Sequence, residues 1–138
     1  MFKWVSFREL RGLPKQEYAN ALREAEITIW VDDDSSFGYS ALEAMKSGNI
    51  VIAKTTNNEM PWSKTNNEYN DSCIWFDNFN DVHRIIASVI RSIVTDVVPE
   101  KIVNDAKVVS EHYSKNVTET QIVEYVKTTI EKRKNEYL

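Results

Sequence analysis

Asp32-Asp33-Asp34-Ser35-Ser36-Phe37-Gly38-Tyr39-Ser40-Ala41-Leu42-Glu43-Ala44-Met45-Lys46-Ser47-Gly48 lies between two short apolar runs, residues 27–31 and 50–53. Leu42 and Met45, three apart, give the middle of the stretch a helical face, and Gly48 suits the left-handed position that stops a helix. Strand, polar turn, helix and strand is the order by which a parallel β–α–β unit brings a helix start beside the carboxyl end of a strand. The first N–H groups of such a helix have no internal acceptors, so the place suits an anionic ligand.

Outward from this unit the pattern continues. Residues 2–7 read as a first short strand, and Pro14 suits the first turn of a helix that aligns Tyr18, Leu22 and Ala25. Residues 27–31 are almost wholly apolar, as expected of a strand covered on both faces. Residues 54–72 are rich in Asn, Thr, Ser and Glu and contain Pro61, so they read as a long loop with a function or a helical turn of its own. Trp62 and Tyr69 in that polar stretch need either a packing role or a ligand role. Residues 73–76 supply another strand. Asn80 is a candidate cap for a strongly amphipathic helix running through Val82, Ile86, Val89 and Ile93. A break at 96–99 leads to a helix with Ile102, Ala106 and Val109, and a final helix over about 117–133 carries Ile122, Val126 and Ile130. The expected class is α/β: one domain, 1–138, with a small parallel Rossmann-like sheet flanked by helices and an all-helical C-terminal third. A sheet this small, starting almost at the first residue, reads as part of a larger doubly wound domain.

With 138 residues, 42% hydrophobic and 28% charged, the chain can bury a proper core. Lys and Arg total 17 against 21 Asp and Glu, a net −4 that disfavours a broad nucleic-acid surface. One cysteine, Cys73, excludes an internal disulfide and reads as a small buried hydrophobe. No run is long enough to cross a bilayer, and the start Met1-Phe2-Lys3-Trp4-Val5 lacks the apolar core of an export signal, so a cytoplasmic setting is expected. Asp32, Asp33 and Asp34 read as solvated turn residues rather than a metal site, because three consecutive carboxylates do not readily converge on one ion. His83 and His112 have no Cys or His at ligand spacing and read as structural or solvated.

Phe37-Gly38, four residues, Glu43-Ala44-Met45, two residues, Gly48 and the apolar run 50–53 resemble the C-terminal nucleotide-sugar-binding half of GT-B glycosyltransferases. The similarity is to the large retaining family that includes bacterial glycan, capsule and lipopolysaccharide transferases, sucrose synthases and glycogen synthases. It runs back through residues 19–31 and, more loosely, forward through 80–93 and His112-Tyr113-Ser114, so the chain corresponds to about the last third of a full enzyme. The family pattern has Glu-Gly where this chain has Ser35-Ser36. The resemblance implies that Glu43 takes the ribose hydroxyls of a nucleoside diphosphate sugar. It implies that the backbone around Phe37, Gly38, Tyr39 and Ser40 faces the diphosphate, and that Ser35 stands at the catalytic position beside the transferred sugar. It also implies a donor substrate rather than a tightly bound cofactor, a missing N-terminal domain holding the acceptor, and a parent enzyme peripheral to the inner face of the membrane. A serine cannot supply the negative charge that a carboxylate offers an oxocarbenium ion, and neither Arg8 nor Arg11 is a clear counterpart of the family's diphosphate-neutralising base. The alternative is a non-catalytic Rossmann-like binding or assembly module. An uncovered sheet edge beside residues 2–7 would favour a homo-oligomer, with Trp4 or Trp30 near the contact.

Overall fold

The computed structural model describes residues 4–35 and 37–137, with 115–118 and 137 as backbone alone. The helices are α1 (Lys15–Glu24), α2 (Tyr39–Lys46), α3 (Phe79–Val94), α4 (Glu100–His112) and α5 (Lys115–Tyr137). The strands are β1 (Ile27–Trp30), β2 (Ile50–Lys54), β3 (Lys64–Thr65), β4 (Glu68–Tyr69) and β5 (Ile74–Phe76). β1, β2 and β5 form a three-stranded parallel sheet in that order, with Ile27 opposite Ile50 and Ile52 opposite Ile74. The chain is thus mixed α/β, a small parallel sheet flanked by helices.

Alternation along β2 divides the core. Val51 and Ala53 point to the side of α2 and α4, joining Trp30, Leu42, Met45, Trp62 and Ala106. Ile52 points the other way, with Phe76, to the apolar stripe of α3 at Val82, Ile86 and Val89. Ala41 and Ala44 are fully buried, and their small size lets α2 approach β2 and α4 closely. Gly48 takes φ +87°, the left-handed stop its position suggested. The cap of α3 falls two residues before the expected one: the Asn78 side chain accepts from Asn80 N–H, and Asn80 is already helical.

Three expectations are corrected. Residues 5–10 form no strand, and Phe7 is exposed, while Phe2 and Lys3 lie outside the described residues. An aromatic-rich run becomes a strand only where a sheet edge receives it, so the open edge of the sheet belongs to β1. Trp30 is 6% exposed in the core, which removes it as a surface contact. β1 is not covered on both faces, because α3 packs against β5 and leaves Ile29 37% exposed.

The polar stretch after β2 is more ordered than its composition suggests. β3 and β4 make a two-residue antiparallel hairpin whose turn residues Asn66 and Asn67 have φ +55° and +69°. Two central residues with positive φ define the type I′ turn, for which Asn is well suited. Cys73 is buried in the core, and burial pushes its thiol up to about 12. The thiol is expected to resist thiol-specific reagents at pH 8 and to react once denaturant unfolds the chain. Because the folded pKa lies above the unfolded one, this group's contribution to stability is intact below about pH 8.5 and is lost as pH rises toward 12. A denaturation series from pH 7 to 11 measures that decline.

Candidate functional site

The turn between β1 and α2 is built by short polar side chains. Asp32 Oδ1 accepts from the N–H groups of Asp34 (3.0 Å) and Ser35 (3.1 Å), an Asx turn that ends the strand. Ser35 Oγ then accepts from Gly38 N–H at 2.8 Å. Gly38 caps α2 in the left-handed conformation, φ +74° and ψ +43°, and its carbonyl accepts from Leu42 N–H. The next two N–H groups, of Tyr39 and Ser40, have no acceptor among the described residues and lie at the positive end of the helix dipole.

Beneath the turn is aromatic packing. A Cβ at Gly38 would lie 2.7 Å from Met60 Sδ, 2.9 Å from Trp62 Cζ2 and 3.2 Å from Trp30 Cη2. Trp62 Nε1 donates to the Phe37 carbonyl and so fixes the peptide leading into Gly38. The segment that brings Trp62 here is pinned in turn. The Tyr69 hydroxyl accepts from Thr56 N–H and donates to Thr56 O, Asn70 Nδ2 donates to Trp62 O, and Trp75 Nε1 donates to Asn70 O. Trp62 and Tyr69 therefore have packing roles.

Glu43 sits one turn into α2 on its exposed side. Partial burial holds the Tyr18 hydroxyl above its ordinary value; a hydrogen bond with Ser40 opposes the rise, and the Glu43 carboxylate reinforces it. Tyr18, Ser40 and Glu43 thus form one polar cluster on the α1–α2 surface. A carboxylate has about four acceptor sites, so Glu43 can hold Tyr18 and still accept from a ligand's hydroxyls. Tyr39 is 65% exposed, its ring 4.4 Å from that of Phe37, which meets Tyr113 edge-on at 5.8 Å.

At the carboxyl end of β2, Lys54 Nζ lies 2.9 Å from Asp33 Oδ1 and 5.5 Å above the Phe79 ring. Asn58 Nδ2 donates to the Asp33 carbonyl, tying the loop after β2 to the turn after β1. Lys54 is a cation at the sheet's ligand-facing edge that sequence reasoning passed over; its signal was position, the last residue of the central strand. Its charge is already matched by Asp33. Arg11 pairs with Glu9 on the surface.

The structure gathers Ser35, Phe37, Gly38, Tyr39, Ser40 and Glu43 at one helix entrance and divides their labour. Ser35 holds Gly38, and Gly38 accommodates Trp30, Met60 and Trp62. Tyr39, Ser40 and Glu43 face outward. Ser36 lies outside the described residues. Among the described residues no three His, Cys, Asp or Glu side chains form a metal-binding group, and no helix is long and apolar enough to cross a membrane. No family model, curated protein or solved structure matches the chain.

Proposed function

We propose that the chain is the C-terminal nucleotide-sugar-binding part of a GT-B glycosyltransferase, acting with an N-terminal domain that holds the acceptor. The observation that carries this reading is the outward-facing set of Tyr39, Ser40 and Glu43 at the carboxyl end of a parallel strand. Two helix-entrance amides with no acceptor among the described residues suit a diphosphate, and a carboxylate one turn further suits the vicinal hydroxyls of a ribose. Ser35 stands where the resembled family has its first glutamate, and its hydroxyl is engaged with Gly38 N–H. Sugar transfer by this chain then depends on electrostatic help from elsewhere, and its own contribution is donor binding.

A titration of UDP and GDP, followed on the backbone amides of residues 37–43 by NMR, tests the reading. Shifts centred on Tyr39 and Ser40 are expected. Glu43→Gln should weaken binding about tenfold to a hundredfold, the loss of a charged hydrogen-bond acceptor. Its melting temperature should not move, because Glu43 is exposed. No shift with either nucleotide at millimolar concentration would remove the proposal.

The second reading, a non-catalytic Rossmann-like binding or assembly module, is favoured by a specific observation. Gly38 and Ser35 are both accounted for by packing and hydrogen bonding within the protein. In that case Glu43→Gln changes nothing except the titration of Tyr18.

A further inference from the structure

The last helix is the element that its own fold leaves uncovered. α1 buries Ala21 and Leu22, α2 four side chains, α3 Val89 and Ile90, and α4 Ala106 and Ser110. In α5, Ile122, Val123, Tyr125, Val126 and Ile130 are 46–73% exposed. Every α5 side chain described is exposed apart from half-buried Thr129. A helix rich in Val, Ile and Thr draws little stability from intrinsic propensity and needs an apolar face packed against something.

The order of residues on that face selects the partner. At about 100° per residue, Ile122, Val126 and Ile130 share a sector of roughly 80°, and Glu119 and Arg133 fall inside the same sector. Read from Val126, the apolar positions are symmetric, an isoleucine four residues away on each side. The charges seven residues away are opposite, glutamate before and arginine after. Two such helices laid antiparallel about a twofold axis at Val126 bring Ile122 against Ile130 of the partner subunit. The same arrangement brings Glu119 against Arg133 of the partner subunit at both ends. A parallel pair would oppose like charges at each end.

We infer that α5 is a self-association surface, pairing antiparallel with α5 of a second copy through an Ile122–Val126–Ile130 seam closed at both ends by Glu119–Arg133 ion pairs. The contact is isologous, so it closes at two subunits. It is independent of the nucleotide reading and uses a different surface from the β1 edge. A seam of about 21 Å supports weak association, with a dissociation constant between about 10 µM and 1 mM.

Sedimentation equilibrium on the full chain across that range tests it. Dimer is expected, with Val126→Lys monomeric throughout. Val126 is exposed and makes no part of the core, so the variant keeps the parent's tryptophan signal and folded core. Glu119→Arg should weaken the dimer about tenfold, since two symmetry-related pairs turn repulsive, and adding Arg133→Glu should restore it. Under mild oxidation Val126→Cys should cross-link across the axis and Ile122→Cys should not, with buried Cys73 silent. Four results would overturn the inference. They are a monomer at all concentrations, a dimer indifferent to Val126→Lys, a charge swap without rescue, or cross-linking through Ile122→Cys, which marks a parallel pair.

Discussion

Gly38→Ala is expected to lower folding stability by about 2–5 kcal/mol, visible as a large drop in the urea midpoint. Two costs add. An alanine held at φ +74° pays roughly 1–2 kcal/mol for the left-handed backbone. Its Cβ also enters space occupied by Met60 Sδ and Trp62 Cζ2, and overpacking of this kind costs about 1–3 kcal/mol. Met60 can swing its thioether aside, but Trp62 cannot withdraw without breaking its bond to the Phe37 carbonyl. Against a total margin of about 5–15 kcal/mol, the variant sits near the limit of folding. The measurement also bears on function. If Gly38 were there only to admit phosphate oxygens, the substitution would reduce nucleotide binding and cost only the backbone penalty of roughly 1–2 kcal/mol. A stability loss no larger than that would therefore contradict the packing account and strengthen the ligand account. For the same reason Glu43→Gln, not a change at Gly38, is the clean probe of binding.

The parts of the fold legible in the chain are those whose signal is local. The β1–α2–β2 unit announces itself through two apolar runs, Leu42 and Met45 in helical register, and Gly48 as a stop. α3 does so through a stripe from Val82 to Ile93 that matches the helical period. The hairpin at Asn66-Asn67 was missed: residues 54–72 read as a long loop, although two adjacent asparagines are a local signal that a type I′ turn accommodates. What the sequence hides is what depends on distant partners. Residues 4–7 carry strand-like side chains, but strand formation needs a neighbouring edge that no local pattern reports. Trp62 lies in a polar loop and is buried only because it reaches Phe37, 25 positions away. The candidate site divides along the same line. Its location was readable from the strand–turn–helix order, its candidate residues came from the family resemblance, and the outward orientation of Tyr39, Ser40 and Glu43 comes from the structure. The inward roles of Ser35 and Gly38 emerge only once Trp30, Met60 and Trp62 are seen beneath them.

Trp62→Ala is expected to be at least as damaging, by about 3–5 kcal/mol, because a large buried ring is removed from among Trp30, Trp75 and the Gly38 turn. The cavity is not the whole cost. The Phe37 carbonyl loses its donor, and the peptide leading into Gly38 loses its tie to residues 54–72. Trp62→Phe separates the two terms, since it refills most of the space and supplies no N–H; it should cost less. The decisive comparison is a double-mutant cycle with Gly38→Ala. If the glycine is small because the indole needs the room, an alanine at 38 costs less once the ring is gone. The left-handed backbone penalty then remains, and the two single changes miss additivity by about 1–3 kcal/mol. Additive losses measured by urea denaturation would mean that ring and glycine act separately. In that event the helix entrance would owe its shape to Ser35 and the Asx turn alone.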